Sequence, residues 1–345
     1  MAGKFLYQAY MKWFPIPLPP AGTFKDQTVL VTGGTTGLGL AAAVHFVNLG
    51  AAEVIITSRD ASRSKTALAT IERETGGRSR GHVRVMDLDL SCYASVVAFT
   101  QEVKKVKQGR GGVDIVVLNA GIAGVDFKLS DEGWEQNIQV NALSTTLLGL
   151  LLLPWMKAER AHRAEPAHLA VVGSSRHLEP NIQEWKERAS ESGVLGHFSK
   201  PENWPGSSAM YAVTKLMAQY AVNELVAMAL GPDGRPDVII NTMCPGIVAS
   251  DLSRGLRDKG IALIIIVNIF QGLLGKSPSN GARTYIAACL TKESEHGKFI
   301  RFYGSEADYK EKATAVITGE AGRDMQARIW SEMKADFISK VPEAR

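Results

Sequence analysis

Short apolar runs alternate with longer helical stretches along most of this chain. Strands are read at Gln27 to Thr32, Glu53 to Thr57, His82 to Met86, Val113 to Leu118, Ala167 to Val172, Val238 to Thr242 and Lys298 to Phe302. Helical patterns lie between them, over Leu38 to Leu49, Ala61 to Glu74, a Ser91-capped stretch to Lys107, Glu132 to Ala158, and the stretch from Tyr211 to Leu230. Strands that are apolar throughout need cover on both faces, and helices crossing between parallel strands supply it. The expectation is one doubly wound α/β domain, a parallel sheet of about seven strands with helices on both faces. No repeat or linker divides it. Its limits are read as 24–305, with an N-terminal arm over 1–23 and a helical extension over 306–345. Met325, Ile329, Trp330, Met333, Phe337 and Ile338 have the spacing of an amphipathic helix in that extension.

The turn after the first strand reads Thr32-Gly33-Gly34-Thr35-Thr36-Gly37-Leu38-Gly39. Glycines let a backbone turn tightly and come close to a pyrophosphate, and the next helix then aims its first N–H groups at the anion. After the second strand comes Thr57-Ser58-Arg59-Asp60. A site for NAD usually carries a carboxylate there, for the ribose hydroxyls. A small hydroxyl followed by Arg59 suits a 2′-phosphate instead, so NADP(H) is the expected cofactor. Asp60 either points away or pairs with Arg59.

Tyr211 and Lys215 are four residues apart and share one helix face. A free phenol titrates near pH 10, roughly. A fixed positive charge beside it favours the phenolate and lowers that pKa, which would make the pair a general acid/base.

In order along the chain stand Thr32-Gly33-x-x-x-Gly37-x-Gly39, Asp89-Leu90, Asn119-Ala120-Gly121, Asn141, Ser174-Ser175, Tyr211-x-x-x-Lys215 and Pro245-Gly246. In this order and spacing the chain resembles the short-chain dehydrogenase/reductase family. Lys276-Ser277-Pro278 with Gly281-Ala282, then Gly297-Lys298-Phe299, is similar to its retinol-dehydrogenase-like branch. The resemblance implies a Rossmann-type domain and an NADP-dependent oxidoreductase. It implies that Gly33, Thr35, Thr36, Gly37, Leu38, Gly39, Ser58 and Arg59 hold the cofactor's phosphates and adenosine ribose. Asp89 would bond the adenine with Leu90 beside it, and Asn119, Ala120 and Gly121 would pack against the ribose. Pro245, Gly246, Val248 and Ser250 would support the nicotinamide. Asn141 would hold a water for a proton relay, Ser175 rather than Ser174 would stabilise the oxyanion, Tyr211 would pass the proton, and Lys215 would bind the nicotinamide ribose and lower the Tyr211 pKa. The two serines exchange roles if the strand end shifts. His177 reads as a pocket-lining or surface residue.

The chain departs from compact members between serine and tyrosine. Arg176 to Ser208 form an insertion with Trp185, His197, Phe198, Pro201, Trp204 and Pro205. Long loops beside a site are commonly functional, so this one is expected to shape the substrate pocket. Residues 250–277, with the apolar run Ile261 to Gly275, are expected to cover it. The function read from the whole is transfer of hydride between nicotinamide and the carbonyl or alcohol of a bulky apolar small molecule, in the sense of a ketone or aldehyde reductase. Two other uses of the fold stay open, a non-redox NADP-binding sensor or scaffold and a biosynthetic cyclase or isomerase.

The formal net charge is +4, with the positive residues scattered rather than in a stripe, so no nucleic-acid partner is expected. Cys92, Cys244 and Cys289 lack metal-ligand spacing and a disulfide pattern, so no metal is expected and a reducing, cytoplasmic setting fits. The run at Ile261 is too short for a transmembrane span. The aromatic, proline-ended N-terminus is not a signal peptide. It reads as an arm on the domain or on a partner subunit of a homo-oligomer, or as a weak contact peripheral to a membrane.

Overall fold

All four residues of β1 (Thr28–Val31) are buried. Leu30 packs into one apolar cluster, while Val29 and Val31 pack into another. Successive side chains of a strand point to opposite faces, so β1 has a core on each side. Such a strand must lie inside a covered sheet. The computed structural model describes residues 10–107, 112–188, 192–249 and 275–344. Among them β1 is joined by β2 (Glu53–Ser58), β3 (Val83–Asp87), β4 (Ile115–Leu118), β5 (Ala167–Val172), β6 (Val238–Met243) and β7 (Phe299–Ile300). They form one seven-stranded sheet in the order β3-β2-β1-β4-β5-β6-β7, with every pairing parallel. The expected doubly wound sheet is therefore present. Its edge strand β7 is shorter than the reading of Lys298 to Phe302.

Helices α1 (Gly37–Asn48) and α2 (Ala61–Glu74) cover one face together with α8 (Pro278–Ala288). The other face carries α3 (Tyr93–Lys107), α4 (Thr145–Ala158), α7 (Ser207–Met228) and α10 (Glu320–Lys340). The insertion folds into two short helices, α5 (Ile182–Arg188) and α6 (Gly193–Phe198), and α9 (Glu306–Ala313) precedes α10. Most of the apolar run from Ile261, and Ser250, lie outside the described residues.

Two local expectations are corrected. Ser91 does not cap α3. Its N–H and hydroxyl both donate to Asp89 Oδ1, at 2.9 and 2.8 Å, and the first N–H of α3, from Tyr93, is taken by Glu132 Oε1 at 3.0 Å. The helix expected from Glu132 to Ala158 is not uniform either. Glu135 caps a short turn, accepting from Asn137 and Ile138 N–H at 2.8 and 3.1 Å. A wider π-helical stretch then spans Gln139–Ser144 before α4 begins. Gln136–His162 is long and apolar enough to cross a membrane, yet 78% of its most apolar window is buried inside the protein. Leu147, Leu148, Leu152 and Met156 have no exposed surface, so this is the central core helix.

The C-terminal extension is a helix, as its spacing predicts. Ile329, Trp330, Met333 and Phe337 bury against the main core. Asp336 pins it there, accepting from Tyr93 Oη at 2.7 Å and Trp134 Nε1 at 3.0 Å and pairing with Lys340 at 2.8 Å. Asp336→Ala leaves two enclosed donors without an acceptor and is expected to cost about 3 kcal/mol in urea unfolding. Lys340→Ala removes only a half-exposed partner and should cost less than about 1 kcal/mol.

Candidate active site

The chain leaves β1 toward one side of the sheet and β4 toward the other, which opens a crevice at their carboxyl ends. Thr32 closes its floor. The Thr32 hydroxyl accepts from Asn119 and Ala120 N–H at 2.9 and 3.0 Å. Asn119 Nδ2 donates to Thr32 O at 2.8 Å, and Tyr285 Oη donates to Asn119 Oδ1 at 2.8 Å. Gly33 N–H donates to Thr57 Oγ1 at 3.0 Å. Gly33 and Gly37 have φ of 65° and 56°, in the left-handed region that favours glycine. A Cβ on Gly39 would stand 2.4 Å from Gly33 O and 2.6 Å from Asn119 Nδ2. Thr36 precedes α1 with no side-chain cap, so the first-turn N–H groups are free to meet an anion. Thr35 is half-buried within the same turn. Leu38 and Val248 meet over Gly281, where a Cβ would lie 2.7 Å from each. This open helix end with its side-chain-free floor fits a dinucleotide pyrophosphate.

At the far end of the crevice Asp60 caps α2 by accepting Arg63 N–H at 2.9 Å. It therefore points away from Arg59, one of the two orientations left open by the sequence. Arg59 instead lies 3.7 Å from Asp89, with both side chains substantially exposed. The Ser58 hydroxyl is occupied within its own turn, donating to Asp60 O at 2.9 Å and accepting Asp60 N–H at 3.1 Å. Leu90 is buried in the main core.

Under the middle of the crevice Lys215 is buried and donates from Nζ to Val172 O at 2.7 Å. Loss of hydration lowers its pKa to about 8. Asn141 sits in the π-helical stretch. Its Oδ1 accepts Ile122 N–H at 2.8 Å, and its Nδ2 donates to Ile122 O at 2.8 Å and Thr214 Oγ1 at 3.2 Å. A Cβ on Gly121 would come within 3.1 Å of Asn141 Oδ1 and 3.9 Å of Lys215 Nζ. Gly121 is thus the gap across which Asn141 and Lys215 face one another. Pro245 and Gly246, the latter at φ 79°, follow β6 on the same edge.

The Tyr211 phenol departs from expectation. Lys215 Nζ lies 5.6 Å from the ring centroid, yet loss of hydration, with the Cys244 thiol nearby, pushes the Tyr211 pKa well above the ordinary phenol value. Ser174 and Arg176 oppose that rise. A phenol held so high keeps its proton at neutral pH, as a proton donor should. The serine facing Tyr211 is Ser174, while Ser175 faces Tyr303. β5 ends at Val172, where the sequence reading put it, so strand length does not decide between the two serines. His177 is neither surface nor pocket wall. It is fully buried, edge-on to Phe299 and Tyr309, and enclosure lowers its pKa to about 4.

The short chain dehydrogenase family model matches residues 27–198. The short-chain dehydrogenase/reductase ffsI of Aspergillus flavipes is 31% identical over 95% of this chain and 90% of its own length. This chain belongs to the short chain dehydrogenase family. The fold agrees. The L-sorbose reductase of Gluconobacter frateurii, solved with NADPH and L-sorbose, superposes with a TM-score of 0.59 over 83% of this chain and 98% of its own, at 19% identity. An NADPH-bound carbonyl reductase from chicken fatty liver gives 0.57 over 80% and 96%, at 18% identity.

The dehydrogenase also holds site residues that no motif announced. Cys244 and Tyr303 are buried at the carboxyl edge of β6 and just beyond β7. The Cys244 thiol lies within electrostatic reach of Tyr211, Lys215 and Lys276. Beside the catalytic helix opens a cavity of about 650 Å³ lined by Arg176, Glu179, Trp185, Phe198, Pro205 and Ala212, among others. Its lining comes from the insertion and α7, and Ser174, Tyr211 and Lys215 are not part of it. The two serines face different phenols. Ser174→Ala should lower turnover about 100-fold, the scale for losing one oxyanion donor, and Ser175→Ala should lower it far less. Steady-state kinetics of both variants checks this, and the reverse ranking would restore Ser175 to the oxyanion.

Proposed function

We propose that this oxidoreductase uses NADP(H) to reduce the ketone or aldehyde of a bulky, largely apolar small molecule. The observation that carries this reading is Tyr211 faced by Ser174, with the buried Lys215 Nζ 5.6 Å from its ring, beside the glycine-floored crevice. Bound in the crevice, NADPH supplies the hydride. The residues that would hold it are the turn from Gly33 to Gly39, Arg59 and Asp89, Asn119 to Gly121, Lys215, and Pro245 to Val248.

What the chain itself contributes is proton placement and charge. As electrons reach the carbonyl carbon its oxygen becomes negative. A Ser174 hydroxyl bonded to that oxygen lowers its energy, and the Tyr211 proton moves onto it. Lys215 keeps a positive charge beneath the same region, its stem enclosed and its ammonium tied to Val172 O. Asn141, in the widened turn, stands on the inner side of Lys215, where the resemblance places the water that resupplies the proton. The cavity of about 650 Å³ lies within the usual range for small-molecule sites. Trp185, Phe198 and the prolines give it apolar surface, and Arg176, Glu179 and Glu184 give it charge.

Arg59 supports NADP over NAD, being exposed and positive at the adenosine end with no competing carboxylate from Asp60. Arg59→Ala should weaken NADPH about 10-fold while leaving NADH unchanged, because a charge-assisted contact to the 2′-phosphate exists only in NADPH. Fluorescence titration of both cofactors measures this, and equal losses would remove the 2′-phosphate contact.

Tyr211→Phe should lower reduction at least about 100-fold with cofactor binding retained. The pH profile follows from Lys215. Its folded-state pKa is lowered to about 8, so the ammonium is present below pH 8 and lost above it. In wild type, kcat/KM for NADPH should be level at neutral pH and fall through about pH 8, since that ratio reports ionisations of the free enzyme. A profile level to pH 10 would exclude Lys215 as an essential cation.

A further inference from the structure

Helix α6, which supplies part of the wall of the cavity beside α7, is tied to the C-terminal helix. Glu332 on α10 accepts Val194 N–H through Oε1 and Leu195 N–H through Oε2, both at 2.9 Å. Arg328 steadies the same carboxylate at 3.3 Å. Ser192, at the start of α6, makes no side-chain cap of its own. The amino end of this short helix is therefore satisfied by a carboxylate 138 residues further along the chain. Gly193 makes the approach feasible. Its φ is 72°, and a Cβ there would stand 2.7 Å from the Glu332 carboxyl carbon.

Helix α6 carries part of the cavity wall. Its last residues, His197 and Phe198, line the cavity, and Phe198 meets Trp185 of α5 edge-on at 5.3 Å. The carboxyl end of α6 is tied as well. Asn203 Nδ2 donates to His197 O at 3.1 Å, and Glu135 N–H donates to Ser199 Oγ at 3.0 Å. Both ends of α6 are thus held, and Phe198 is buried against Trp185. Glu332 is the tie that comes from outside the catalytic domain. One turn further along, Asp336 pins α10 to Tyr93 and Trp134, so the wall rests on an anchored support.

We propose that Glu332 is a positioning residue for substrate selectivity. By holding α6 it fixes the Phe198–Trp185 wall and admits bulky substrates to Tyr211 in one orientation. The inference rests on the reading that this cavity receives the body of the substrate. It gives α10, which touches no reacting atom, a role in choosing the substrate.

The test uses the full-length protein and Glu332→Gln, which keeps the side chain's size but leaves one amide oxygen for two N–H groups. A bulky bicyclic ketone (a decalone) and a small one (cyclohexanone) serve as probes. The expected result is a KM for the decalone raised about 10-fold, the scale on which apolar pockets discriminate. The KM for cyclohexanone, both kcat values and NADPH affinity should change less than about 2-fold. Hydrogen exchange of the Val194 and Leu195 amides should speed up in the variant. Phe198→Ala, which leaves the tie intact, should give the same split in KM without faster exchange at those amides. Unchanged exchange in Glu332→Gln, or faster exchange with both KM values unmoved, would overturn the proposal. Failure of wild type to reduce either ketone would sink the redox reading alone. Calorimetric binding of decalone to the NADPH complex of wild type and Glu332→Gln would then decide this one, with equal affinities counting against it.

Discussion

The hydrogen bonds between Thr32 and Asn119 are what the site is built on. They join the ends of β1 and β4, the two strands from which the chain departs in opposite directions, and so fix the width of the crevice between them. Tyr285 extends the tie to α8 through Asn119. Because Asn119 is held from three directions, it can stand against the glycine turn with no room for a side chain at Gly39. A loop of small residues would otherwise be loose, since glycine loses the most backbone freedom on ordering. Here neighbouring polar groups supply the order that the loop lacks.

Enclosure governs the chemistry a few ångströms away. Burying a phenol and an ammonium side by side moves their pKa values in opposite directions, up for Tyr211 and down for Lys215. Spacing along a helix shows that the two can meet. It does not show whether attraction between the charges or loss of hydration prevails. In this fold hydration prevails, leaving a proton on Tyr211 and a lysine close to giving up its own.

The sheet was legible because its signals are local. Strands β1 to β6 lie within a residue or two of their apolar runs, and the glycine turn, Asn119, Tyr211 and Lys215 fall where the order of motifs put them. What escaped depends on register or on distant partners. Adjacent serines face different phenols, Ser174 toward Tyr211 and Ser175 toward Tyr303, and the strand pattern does not show which. The π-helical widening at Asn141 needs one more residue per turn than a helical pattern reveals. Ser91 resembles a cap because its type suits one, yet Asp89 takes both of its donors. Contacts such as Glu332 with α6 or Asp336 with Tyr93 join segments far apart, and no periodicity encodes them.

The tie from Glu332 to α6 also has a temporal side. A ribosome releases the glycine turn, Ser174, Tyr211 and Lys215 well before it releases residue 332. The reacting groups are thus on hand before the wall that limits what may approach them. Until α10 docks, α6 has no acceptor for two of its first N–H groups, and the aromatic wall has no fixed position. If Glu332 acts as proposed, the cavity wall is set only once α10 has docked.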